Sequence, residues 1–213
     1  MGSIDSQIQQ LSIVLPGVLL AITVHEFAHG WVANRLGDPT ARLAGRLTMN
    51  PFAHLDLIGG LALLLFHFGW AKPVPINPLY FKNPRQGIVL TSLAGAASNL
   101  LTASIIALVY RMVFAPSMMF VPALLPRMVG PLNLMLIRAV EMNVFFGFFN
   151  LIPIPPLDGS KVVMGFLPPA QANALARLEP YGVFILMFLI LIGAIGAVIG
   201  PPAVMLIRLL LAM

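Results

Sequence analysis

Long apolar stretches alternate with short polar ones along most of the chain. Residues 13–24, 87–109, 132–152 and 182–199 approach or reach the roughly 20 consecutive apolar positions needed to cross a bilayer core. Two shorter runs are weaker candidates: residues 57–70, short enough to be re-entrant, and residues 201–213, which carry Arg208 near their middle. Between the first two long runs, residues 42–49 partly alternate polar and apolar, which predicts a short strand at the membrane surface ended by Asn50-Pro51. Residues 72–78 hold three prolines and predict extended backbone. The pattern therefore predicts an all-α polytopic membrane protein with about 4–6 transmembrane helices and short membrane-associated β-strands. Repeats, low-complexity tracts and a soluble domain are not evident, so residues 1–213 read as one integral membrane domain.

Composition agrees. Of 213 residues, 59% are hydrophobic and 9% charged, against roughly 25% charged in a soluble domain. A formal charge of +5 could suit nucleic acid, but the basic residues are scattered between spans and form no cluster. They act better as topology signals. If the first span runs from outside to inside, Arg35, Arg42, Arg46, Lys72, Lys82, Arg85, Lys161 and Arg177 fall on the cytoplasmic side, 8 of the 12 basic residues. This span has no basic leader and ends in polar chemistry, so it is expected to stay in the mature protein. With no cysteine in the chain, thiolate metal sites and cysteine nucleophiles are excluded, leaving imidazole, carboxylate and carbonyl as ligands.

The strongest chemical signal is Val24-His25-Glu26-Phe27-Ala28-His29-Gly30, an HExxH pattern closing the first apolar run. Spacing of i and i+4 puts both imidazoles on one helix face, where they can share a zinc ion, with Glu26 beside it as general base. Catalytic zinc keeps three protein ligands and one open position, so a third ligand is needed. The remaining acids are Asp5, Asp38, Asp56, Glu141, Asp158 and Glu179. Asp158 follows a proline-broken stretch, Asn150-Leu151-Ile152-Pro153-Ile154-Pro155-Pro156-Leu157, that closes a span running in the same direction as the first. That arrangement brings it to a similar depth.

The HEFAHG segment together with NLIPIPPLDG resembles the site-2 protease family of intramembrane zinc metalloproteases. The likeness extends to residues 45–51, 54–56 and 69–75 and to Ala94-Gly95 with Asn99, covering most of residues 20–165; Ala96 stands where the family pattern commonly has proline. It is similar to the compact members without appended PDZ or CBS domains. The resemblance implies His25, His29 and Asp158 as ligands of one zinc ion and Glu26 as catalytic acid/base. It also implies cleavage, with zinc-bound water activated by Glu26, within or near transmembrane segments of membrane-anchored substrates. The protein is then expected in the cell membrane as a multi-pass protein with its active site toward the cytoplasm. Its partners are a transmembrane substrate and the bilayer, with no nucleic acid and with room for a regulatory membrane partner.

Asn150, Asn99, Pro153 and Pro155 are candidates to line a substrate cleft. For Asn143 and Asn150, seven apart on one helix face, interhelical hydrogen bonding competes with a place in the cleft. For Asn99 an amide joining close-packed helices can coexist with a role near the substrate. An unwound substrate could add as a strand along residues 153–157 or 42–49. Arg138 and Glu141, three apart, most simply neutralise each other. His54 reads as a satisfied loop histidine and His67 as structural. A divalent-metal transporter is the main rival function, but a transport path needs ligands at several depths, whereas here the polar groups concentrate at one level. An aspartyl or serine intramembrane protease lacks its paired residues, and a prenyl-protein metalloprotease would leave the PPLDG segment unexplained.

Overall fold

The computed structural model describes residues 4–56, 59–60, 71–114 and 126–212. Helix α1 (Ile4–Arg35) has 32 residues, about 48 Å at 1.5 Å per residue, enough to cross a bilayer and project beyond it. It closes on Gly37, whose φ of 108° lies in the left-handed region a helix terminus favours, and Asp38 N–H donates back to Ala33 O at 2.9 Å. A connecting region follows with α2 (Thr40–Leu43) and two 3₁₀ turns, Pro51–Ala53 and Pro78–Tyr80. Each 3₁₀ turn is capped by an asparagine, Asn50 or Asn77, whose side-chain oxygen accepts the backbone N–H two residues on. The long helices α3 (Pro84–Phe114) and α4 (Pro126–Asn150) come next. They are followed by α5 (Asp158–Phe166), α6 (Pro169–Ala176), α7 (Gly182–Leu191) and α8 (Ala194–Leu211).

Among the described residues, five helical stretches are long and apolar enough to cross a membrane: Ile8–Arg35, Pro84–Phe114, Val129–Asn150, Pro169–Leu191 and Ala194–Leu211. The protein is a multi-pass membrane protein. Helices α1, α3 and α4 pack against one another and form the frame of the site. Small residues make the close approach: Gly17 of α1 lies against the Ala139 backbone of α4, and α3 buries Gly87, Gly95, Ala96, Ala103 and Ala107. Away from the site the interior is apolar, with Ala103, Ala107, Val140 and Val144 meeting Ala203, Ile207 and Leu211 of α8.

The expected spans shift at the C-terminal end. Residues 182–199 do not form one helix, because Gly193 takes φ 76° and separates α7 from α8. The weaker run containing Arg208 is accordingly the second half of a full helix. Arg177 falls within the span Pro169–Leu191.

No strand occurs among the described residues; a single bridge pairs Leu55 with Ala71. Where residues 42–49 predict a strand, the chain finishes the α2 turn at Leu43 and reverses at Gly45, φ 67°. Local backbone bonds from Ala44 N–H to Thr40 O, Gly45 N–H to Arg42 O and Arg46 N–H to Ala41 O override the alternating pattern. Residues 153–157, considered as an extended edge, coil instead through the bonds Ile154 N–H to Ile152 O and Leu157 N–H to Ile154 O. Residues 72–77 run without helix, as their prolines require. The apolar run 57–70, with His67 and Trp70, lies outside the described residues except for Gly59 and Gly60.

Candidate metal centre

His25, Glu26 and His29 lie in the C-terminal half of α1, and all three are buried. Asp158 opens α5 and is also buried. His25 Nε2 and His29 Nε2 are 2.9 Å apart, and Asp158 Oδ2 lies 3.1 Å from the first and 2.9 Å from the second. These separations are a few tenths of an ångström under the roughly 3.3 Å expected between tetrahedral ligands about 2.0 Å from zinc.

The remaining hydrogen bonds decide which ring nitrogens carry protons. His29 Nδ1 is 2.7 Å from Thr91 O, a carbonyl that can only accept, so Nδ1 is protonated and Nε2 presents a lone pair. For His25 the partner is Asn99 Oδ1 at 2.7 Å. The orientation of that amide is set in turn: Asn99 Nδ2 donates to Ala21 O at 2.9 Å and to Asn143 Oδ1 at 3.1 Å, while Asn143 Nδ2 donates to Ala139 O. His25 therefore also holds its proton on Nδ1. With both rings neutral and protonated on Nδ1, two imidazole lone pairs and one carboxylate oxygen converge, an arrangement that a bound metal cation satisfies. These side chains fit a metal ion, and the group His25, His29 and Asp158 can hold one.

Glu26 faces the same space without joining the cluster. Its Oε2 accepts the Val74 N–H at 2.8 Å from the extended segment crossing over α1. Beside the cluster lies a cavity of about 520 Å³ lined by Glu26, Val74, Ile76, Asn150, Pro156 and Lys161 among others. Asp158 directs only Oδ2 at the histidines; Oδ1 faces Lys161 Nζ at 3.4 Å. The half-exposed lysine sits one turn along α5 from the aspartate, an i,i+3 spacing legible in sequence that the expected site did not include.

The other candidates separate. Asn150 lines the cavity and donates from Nδ2 to Phe146 O at 3.0 Å. Asn99 is fully buried behind His25 and orients that ring, and Asn143 supports it as an interhelical bond. Pro153 is exposed, and Pro155 turns its carbonyl toward Gly182 at the start of α7, leaving Pro156 on the cavity wall. His54 is fully buried and donates from Nε2 to Thr48 O, 2.9 Å away. Arg138 and Glu141 form an ion pair at 2.6 Å. The Thr91 carbonyl had no sequence signal, because any residue supplies a carbonyl and only helix packing selects which one.

Replacing Asn99 by alanine removes the acceptor that orients His25. Zinc affinity is expected to fall about 10–100-fold, the usual loss for such an orienting partner. Competition against a chromophoric chelator measures it; unchanged affinity would show that packing alone orients the ring.

Fold and site together define a multi-pass membrane metalloprotein whose metal-binding helix carries an HExxH motif. Residues 13–193 match the sequence profile of peptidase family M50, and the chain belongs to this family, that of the site-2 proteases. It is 37% identical over 179 residues to YwhC of Bacillus subtilis (strain 168), whose name carries zinc metalloprotease as a provisional description. That match covers 83% of this chain and 80% of YwhC. Rip2 of Mycobacterium tuberculosis (strain ATCC 25618 / H37Rv) bears the same provisional description and is 30% identical over 184 residues, 84% of this chain and 66% of Rip2. Rip2 of Mycolicibacterium smegmatis (strain ATCC 700084 / mc(2)155) is 30% identical over 190 residues, 86% of this chain and 68% of its own length. No solved structure matches the chain.

Proposed function

We propose that this protein is an intramembrane zinc endopeptidase that cleaves membrane-anchored substrates within or near their transmembrane segments, with the site toward the cytoplasm. The observation carrying the proposal is the convergence of His25 Nε2, His29 Nε2 and Asp158 Oδ2 beside a buried, non-ligating Glu26 on one cavity. A zinc ion held there supplies the Lewis acidity that polarises a peptide carbonyl and acidifies a water. Glu26 takes the proton from the attacking water and returns it to the leaving amine nitrogen. The apolar wall formed by Val74, Ile76 and Pro156 limits competing water. Asn150, on the same wall, is placed to meet the substrate backbone.

A transmembrane substrate keeps its carbonyls in helical hydrogen bonds and must unwind before attack. Extended residues 74–77 flank the cavity, where the Val74 and Asn77 N–H groups are spent on Glu26 and Asp38 and Pro75 has none. An unwound segment would therefore pair with the carbonyls of this stretch and the Ile76 N–H, in place of the coiled residues 153–157. Selection of the substrate rests on this membrane-embedded cleft, with a regulatory membrane partner as a further source of control.

The test is metal removal and return. Reconstituted protein is expected to bind about one zinc per chain, to lose cleavage of a single-span substrate on chelation, and to regain it on zinc addition. Cleavage that survives complete zinc removal sinks the proposal. So does zinc uptake into sealed vesicles without any cleavage, which would favour a transporter.

A further inference from the structure

Asp38 is fully buried, lies beyond the end of α1 and takes no part in the metal cluster. Its Oδ1 accepts both the backbone N–H, at 2.9 Å, and the hydroxyl of Thr40. The other oxygen, Oδ2, accepts the Asn77 N–H at 2.7 Å across 39 residues of sequence. A buried carboxylate is costly to desolvate, and three donors are what make this one tolerable. One of them fastens the far end of the segment that crosses the site.

That segment is held at four points, the first being the bond from Lys72 N–H to His54 O at 2.9 Å. Arg46 donates to Lys72 O at 2.6 Å and to Pro73 O at 3.3 Å. Val74 donates to Glu26 at 2.8 Å and packs over Gly30 of α1. Asn77 donates to Asp38. Prolines at 73, 75 and 78 stiffen the stretch, so movement at Asn77 passes to Val74, three residues away, with little slack. Glu26 is thus oriented by an amide whose position depends on Asp38.

We infer that Asp38 is a positioning residue, which pins residues 72–77 across the metal centre so that the Val74 amide holds the Glu26 carboxylate toward the reacting water. The inference rests on the reading of Glu26 as general base. It assigns a chemical reason to a buried acid that neither binds metal nor meets substrate.

Two substitutions separate this role from a general need for a folded loop. Asp38→Ser keeps a short oxygen acceptor for Thr40 N–H but is too short to reach Asn77 N–H. Asp38→Asn keeps one oxygen for the Asn77 N–H, its amide donating to the Thr40 hydroxyl and the Thr40 N–H losing its acceptor, so it retains the cross-segment bond that Asp38→Ser removes. In Asp38→Ser, kcat is expected to fall about tenfold or more with KM and zinc per chain unchanged, as misplacement of a catalytic group produces. Asp38→Asn is expected to recover most of kcat.

The second readout needs no activity. Because the chain has no cysteine, the thiol introduced by Ile76→Cys reports on the segment alone. Its alkylation is expected to accelerate severalfold when Asp38→Ser is added and to stay slow with Asp38→Asn. Unchanged alkylation, unchanged kcat, or a kcat loss matched by loss of zinc would each overturn the inference. If Glu26→Gln keeps full activity while Asp38→Ser still frees the thiol, the clamp stands and the reading of Glu26 as base is what fails.

Discussion

Glu26→Gln is expected to lower kcat about a thousandfold while leaving about one zinc per chain, whereas Asp158→Ala is expected to lose the metal. The two carboxylates sit close together, yet their surroundings differ. Asp158 aims one oxygen at both imidazole nitrogens, so its removal deletes one of the three proposed ligands. The cost should exceed the roughly 10–100-fold affinity loss of an orienting residue. Glu26 instead accepts a backbone N–H and stands beside the cluster, so glutamine preserves volume and removes only the ability to carry a proton. Measuring zinc and single-turnover cleavage on the same preparations checks both halves. Zinc retention by Asp158→Ala, or cleavage by Glu26→Gln at the wild-type rate, would exchange or erase the assigned roles.

Gly95→Ala is expected to weaken zinc binding about 10–100-fold, although position 95 contacts the metal with no atom of its own. A Cβ there would lie 2.6 Å from His25 Cε1 and from both Cε1 and Nε2 of His29. Neither ring can retreat freely: His25 is tied to Asn99 and His29 to the Thr91 carbonyl, both on the same helix as Gly95. The strain must be relieved by separating α1 from α3 or by rotating a ligand away from the metal point. Overpacking of this kind costs about 1–3 kcal/mol, equivalent to the stated loss in affinity. Leu93→Ala, on the lipid-accessible side of the same helix, serves as control and should leave zinc binding unchanged. Equal affinities for Gly95→Ala and the control would mean that α3 shifts without disturbing the site.

Local signals carried a large part of this protein. Apolar run length marks long helices because a bilayer offers no hydrogen-bonding alternative to the backbone. The HExxH spacing places two imidazoles on one face because the helix repeat is near 3.6 residues. Both depend only on neighbours in sequence. The C-terminal run misled for the same reason, since hydropathy does not register that Gly193 adopts a left-handed conformation and divides it.

What the sequence by itself determined is the membrane class, the metal-binding helix and, through its proline-broken PPLDG motif, the third candidate ligand. Only the tertiary structure decided how that site is held. Asn99 turned from a candidate cleft residue into the orienting partner of His25, Pro156 rather than Pro153 or Pro155 reached the cavity, and Asp38 became tied to Asn77. Residues 42–49 alternate like a strand, but a strand needs a partner edge, and the α2 turn and the reversal at Gly45 gave that backbone local bonds instead. Ligand identity follows from chemistry that a few adjacent residues encode. Orientation follows from contacts between α1, α3, α4 and the crossing segment, whose residues are dozens of positions apart and acquire meaning only when packing brings them within hydrogen-bond distance.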